Sequence, residues 1–438
     1  MTSAIHQYRF GLGPVPQQSS EAGPDPRTQL AQPVAIPAAA NLPSAAQGVE
    51  LFLARQAAVR AARRDQTTAS FITPIAVSEA ELAARLQLAQ TTAAPLHERL
   101  ALHWANHFTV TRANYAGYLA GAMEREAIRP HILGRFEAML RACTTHAAML
   151  FYLNNRASIG PNAAAAGNGR RGLNENQARE LLELHSLGVD GGYTQQDVQE
   201  VARILTGWTV RLEPGEAPAE GRIGFRPEWH EPGPRVVLGK RYPEGGAEQL
   251  DALLHDLARH PATARHVCRR LVRHFIGDQA PPALAETLAA TFRETEGDLT
   301  AVTRALVSHP ASWSTPAHKM RPPIELIFGA ARLLGGLPQR PPLRRALGAM
   351  GQPWHGAGSP AGWPEEDNAW AAPDAVKTRL DWAQELATNL PPQTDARRLA
   401  EGPLSAALSA ETRRAVQRAA SGAQAMTLLL MSPELQRR

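Results

Sequence analysis

Gly172 to Trp208 reads GLNENQARELLELHSLGVDGGYTQQDVQEVARILTGW, and two helix signatures stand back to back in it. The first opens at Asn174, an N-cap residue type, with Gln177 three positions on to answer it. Ala178, Leu181, Leu182 and His185 follow at helical spacing and are expected to face a core. Gly188 stops that helix and the Gly191–Gly192 pair turns the chain. The second opens at Thr194 with Asp197 as its reciprocal partner, and Val198, Val201, Ala202, Leu205 and Trp208 form its buried stripe.

The remaining face of the first helix carries Glu175, Arg179 and Glu183 at i, i+4 and i+8, with Asn176 and Glu180 beside them. It admits two readings. One is a solvated face laced by ion pairs of roughly 0.2–0.5 kcal/mol each. The other is a polar cluster lining a site.

Outward from this stretch the pattern stays helical. Aromatic residues are only 5% of the 438, and Ala, Leu and Arg outweigh β-branched types. Helices are expected at about 49–65, 78–90, 95–108, 246–259, 262–276, 283–294, 298–308 and 322–335. A further helical region, about 115–153, should break at Pro130. Residues 1–50 read as an irregular N-terminal segment, and 51–438 as one helical domain. Three loops interrupt that domain: 154–172, 209–245 and 351–374, the last two being long Pro/Gly-rich excursions. The expected fold is therefore mainly α, a single multi-helix domain with at most a small hairpin. Gly167, Gly169 and Gly172 spell a formal G-x-G-x-x-G, but an Ala/Asn/Gly loop precedes it where the dinucleotide fingerprint needs a strand.

A net charge of +5 is spread along the chain without a basic tract or an aromatic platform, which argues against nucleic acid as a partner. Cys143 and Cys268 are two isolated thiols, expected to be buried and unpaired. No apolar run is long enough to span a membrane. The start MTSAIHQYRFGLG lacks the basic and apolar regions of a signal peptide, so the cytoplasm, or a periplasm reached with a partner, is expected. There is no nucleophile elbow, no Walker A and no H-E-x-x-H. His103 and His107 are four apart on one predicted helix, a spacing that lets two imidazoles share a metal. Several Trp, Trp363 among them, fall in the 351–374 excursion and suit a wall facing a substrate.

The central stretch resembles the signature of a large bacterial family, domain of unknown function 1800, through NENQARELLEL, YTQQDV and ARILTGW. RFGLGP at Arg9, WANHF at Trp104, WHEPGPRVVLG at Trp229, HPATARHVCRRLVRHF at His260, SPAGWP at Ser359 and SPELQRR at Ser432 extend the resemblance over nearly the whole chain. It implies that Asn106 and His107 are kept from the family's W-H-N-H-F, with Ala105 replacing a His. It implies also that His230 matches an H-D-P-G element, with Glu231 for Asp. Lys319 and Arg321 resemble the family's basic-Pro element, suited to an anionic group.

Two functions follow as expectations. The first is an enzyme whose polar centre gathers Asn106, His107, Glu175, Arg179, Glu180, Glu183 and His230, with Lys319, Arg321 and Trp363 at the substrate. His107, Glu180, Glu183 and His230 would be ligands to Fe, Mn or Zn. A haem variant rests on a loose similarity of the NEN segment to animal-type haem peroxidases. The second is a non-catalytic accessory or assembly partner of an alkaline-phosphatase-like protein of the domain of unknown function 1501 family, which the resemblance brings in as a neighbour.

Overall fold

The computed structural model describes residues 7–16, 23–37, 42–112, 117–167, 172–212 and 221–438. Most of its long helices start where the sequence supplies a cap or a proline. Ser44 and Gln47 close a reciprocal box at the head of Ala45–Asp65. Thr73 caps Pro74–Thr91, and Thr194 with Asp197 closes the expected box on Gln195–Leu205. Pro95–His107, Pro261–Phe275, Pro282–Glu294, Pro323–Leu334 and Pro373–Asn389 each open on proline, whose fixed φ suits a first helical turn. The region expected to break at Pro130 does so. Ala120–Met123 runs into a π turn, Glu124–Ile128, then a 3-10 turn, Arg129–His131, before Phe136–Thr145 resumes.

The chain is mainly α. Among the described residues, strand is confined to two antiparallel hairpins in the first excursion. Trp208–Val210 pairs with Ile223–Phe225, and Arg235–Val237 with Lys240–Tyr242. No described helix is long and apolar enough to cross a membrane. Cys143 and Cys268 are free and buried. Gly169, within the formal G-x-G-x-x-G, lies outside the described residues; the nearest element before it is a 3-10 turn, Asn155–Ala157.

The NEN helix departs from its sequence reading. Asn174 does cap, its side chain accepting from the Asn176 amide at 2.9 Å, but Gln177 turns inward and donates to the Thr144 carbonyl at 2.7 Å. The reciprocal box is thus absent, because a buried carbonyl on a neighbouring helix outcompetes a local partner. Asn176–Glu180 is α-helical and Leu181–His185 widens into a π turn before Gly188, at φ +87°, reverses the chain.

Two apolar clusters make the interior. One contains Leu96, Leu100, Trp104, Phe136, Leu181, Leu205 and Leu271; the other contains Tyr8, Leu82, Ile327, Phe328, Trp382 and Leu429. Helix Pro95–His107 stands between them, sending Leu100 and Trp104 into the first and packing Leu102 on the second. Its charged residues occupy the seam. Glu98 takes a bidentate pair from Arg129 at 2.8 and 2.6 Å, and Arg129 reaches Glu124 at 2.7 Å, where Arg85 also binds. Arg99 pairs with Glu325, which receives Arg438 at 2.7 and 3.1 Å. Arg9, in the RFGLGP segment, is wholly buried and holds the carbonyls of Ser312 and Thr315 at 2.9 and 2.7 Å.

Removing one member of a buried pair strands its partner's charge, at a cost of about 3–5 kcal/mol. Glu98→Ala should therefore lower the unfolding free energy by about that amount, read from urea melts. A loss under ~1 kcal/mol would mean the seam is wet and weak.

Candidate functional site

Where helix Pro95–His107 passes the second excursion loop, the seam turns from guanidinium–carboxylate pairs to imidazoles. His103 is fully buried, ringed by Trp104 at 4.9 Å and His274 at 5.0 Å between centroids. Glu365 enters from the loop with its side chain only 10% exposed. Its Oε1 lies 3.7 Å from Nδ1 of His103 and 3.8 Å from Nδ1 of His274, while Arg270 approaches its Oε2 at 3.2 Å. One atom from each of His103, His274 and Glu365 lies within 4.8 Å of the others, the one such grouping of three metal-type ligands among the described residues. Neither ring nitrogen of His103 has a hydrogen-bond partner.

The loop is pinned so that Glu365 points inward. Asn106 mimics a backbone: its Nδ2 donates to the Trp363 carbonyl at 3.0 Å and its Oδ1 accepts the Trp363 amide at 2.7 Å. Gly362, at φ +84°, lets the loop pass this clamp, since an added Cβ would stand 2.5 Å from the Asn106 carbonyl. Lys319 donates to the Glu365 carbonyl from the other side. The group lies at a cleft of about 830 Å³, open mouth included, lined by Asn106, His274, Lys319, Trp363 and Glu365.

Electrostatics keeps the centre's charges apart. Burial lowers the pKa of His103, against the pull of Glu365, and together with Arg99 takes His274 well below its ordinary value. Burial alone would raise the Glu365 carboxyl, yet Arg270 and the two imidazoles hold it well below the usual range. Lys319 is brought down to about 8 by burial and by Arg438. At neutral pH the centre is thus one carboxylate with two neutral imidazoles.

The residues singled out in the sequence fall in several places. Asn106, Lys319 and Trp363 line the cleft. His107 is beside it, but both its nitrogens are committed: Nε2 to the His185 carbonyl and Nδ1 to Arg270, each at 3.2 Å. Arg270 can only donate, so Nδ1 accepts and Nε2 carries the proton. Arg321 turns away, giving its guanidinium to the carbonyls of Leu435 and Glu325 over the Tyr8 ring. Glu175 and Arg179 are a half-buried i,i+4 pair at 3.5 Å, joined through Gln195. Glu183 accepts from the Tyr193 hydroxyl at 3.2 Å, and burial with Glu183 nearby raises the pKa of Glu180. His230 packs under the first hairpin, its Nδ1 bonded to the Thr206 carbonyl at 2.9 Å. His107, Glu180, Glu183 and His230 form no metal-spaced group among the described residues.

His274 and Glu365 were not singled out, and His103 only as a partner to His107. Their positions are far apart in the chain, and no local spacing links them. The usable signals were two family-like segments: HPATARHVCRRLVRHF, which contains His274, and SPAGWP, which ends at Pro364, immediately before Glu365.

The chain belongs to the family described as protein of unknown function (DUF1800), whose profile matches residues 6–437. No curated protein and no solved structure matches it.

A pH series follows from the depressed imidazoles. His185, held to about 3 by burial and Arg270, and His355, held to about 4 by burial, are neutral in the fold but titrate near 6.5 once unfolded. The unfolded chain therefore binds more protons below that value, so stability is full above it and is lost as pH falls. We expect urea-measured stability to be level above pH ~7 and to fall by roughly 1.4 kcal/mol per unit for each such group down to pH ~4. A flat profile between pH ~6.5 and ~4.5 would contradict the assigned burial.

Gly362→Ala should loosen the clamp. The expected result is faster proteolysis in residues 351–372 and a melting temperature lower by about 2 °C, which is what ~2 kcal/mol of strain would give in a chain of this length. Unchanged proteolysis would show that the loop has room to shift.

Proposed function

We propose that the chain is an enzyme whose reaction centre is His103, His274 and Glu365, the last two on the cleft, and that the centre holds a divalent metal. One observation carries this: a wholly buried imidazole, His103, with both nitrogens unpartnered and one facing a carboxylate at 3.7 Å. An unsatisfied buried nitrogen costs about 1–3 kcal/mol, a debt that an ion would settle. Metal bonds near 2.1 Å set neighbouring ligand atoms about 3.4 Å apart in a tetrahedral shell, close to the two distances here. Two imidazoles and one carboxylate suit Fe, Mn or Zn. Such an ion supplies Lewis acidity or an activated water. Around it Arg270 orients Glu365, Asn106 fixes the loop that carries it, and Lys319 presents a cation to the cleft.

A second reading has its own observation. Arg99 approaches Nε2 of His274 at 3.2 Å, and a guanidinium only donates. The His274 proton then sits on Nδ1, facing Glu365, which suits a metal-free acid–base pair. For His274 to ligate through Nδ1, Arg99 must leave it for Glu325, its other partner.

Metal analysis of untagged protein loaded with Fe(II), Mn(II) or Zn(II) separates the two. The metal reading expects about one ion per chain, reduced at least tenfold in affinity by His103→Ala and by Glu365→Gln. Wild type that takes up none of the three ions defeats it and leaves the acid–base pair. The accessory role beside a domain of unknown function 1501 protein becomes the reading to pursue if, in addition, no activity responds to Glu365→Gln.

A further inference from the structure

The cleft is also lined by a charged side chain that the centre does not use. Arg85, from helix Pro74–Thr91, lines it with a side chain 2% exposed. Its Nη1 is given to Glu124, and its Nε stands 3.6 Å from Glu98, too far for a hydrogen bond. Neither Nε nor Nη2 has a partner. Arginine's fork is built to take both oxygens of one planar anion, and here two of its donors are buried and empty.

We infer that Arg85 anchors the carboxylate of an organic acid whose apolar body lies along the cleft and whose far end reaches His274 and Glu365. The anchor stands on the geometry of Arg85 alone; only the reacting end rests on the centre proposed above. Much of the lining is apolar, with Leu102, Val110, Ile324, Ala357 and Trp363 in it, and the Trp354 ring lies 5.9 Å from the Arg85 guanidinium. Glu98 and Glu124 already stand against Arg85, so a singly charged carboxylate meets less repulsion there than a dianionic phosphate. His355, also lining the cleft, is neutral at ordinary pH and does not compete for the anion.

The test is calorimetric titration of the full chain with 3-phenylpropionate, its uncharged amide, and phenyl phosphate. Wild type should prefer the carboxylate to the amide by about tenfold or more, and phenyl phosphate should bind more weakly than the carboxylate. Arg85→Gln should abolish the preference. Because that variant also disturbs the seam, Glu124→Gln is the independent check. It keeps the side chain's shape, leaves Arg129 held by Glu98, and removes a negative charge beside Arg85, so carboxylate binding should tighten. Equal binding of acid and amide by wild type, tighter binding of the phosphate, or weaker acid binding by Glu124→Gln would each overturn the inference. His103→Ala distinguishes the two proposals: failure of the metal centre shows as absent metal with the carboxylate preference intact.

Discussion

Charge taken out of water has to be met by charge, and this fold is arranged around that constraint. Arg85, Glu98, Glu124 and Arg129 form one closed set in the seam, and Arg99, Glu325 and Arg438 form another. The two apolar clusters on either side are ordinary helical packing, made of Leu, Ala and Phe at helical spacing. What gives the interface between them its shape is the pairing. A hydrophobic seam could slide; a bidentate guanidinium cannot move by an ångström without losing a bond. Such pairs are weak evidence of stability gained, since desolvation offsets attraction, but they restrict which arrangement is tolerated.

The candidate centre is the place where this pairing is incomplete. Glu365 is compensated by Arg270 and held low, yet the imidazole facing it keeps two empty nitrogens, and Arg85, also on the cleft, keeps two empty donors. Arg99 also keeps an unpartnered Nε while its charge is met by Glu325, just as the charge of Arg85 is met by Glu124. On the cleft wall Asn106 satisfies the loop backbone and Lys319 satisfies a carbonyl.

Helices and caps were legible because they are local. The Thr194–Asp197 box and the break at Pro130 follow from residues within a turn of each other. The Asn174–Gln177 box did not form because Gln177 found Thr144, a partner no window of sequence displays. The same distinction governs the site. The NEN face was conspicuous because Glu175, Arg179 and Glu183 recur at helical spacing, and in the structure it is half-buried pairing of that local kind. His107 was conspicuous through WANHF, and its nitrogens serve the fold. His103, His274 and Glu365 carry no shared pattern, and only tertiary structure sets them side by side.

That dispersal has a consequence for how the protein comes into being. His103, His274 and Glu365 come from the early, middle and late parts of the chain, and the last sits on a loop ordered by Asn106 from the first. Closing loops of such length is entropically slow and follows local helix formation. The centre therefore cannot exist on a nascent chain that has yet to synthesise Glu365, however complete its earlier helices. The grouping of these three side chains is therefore withheld until the polypeptide has been made and folded past that residue.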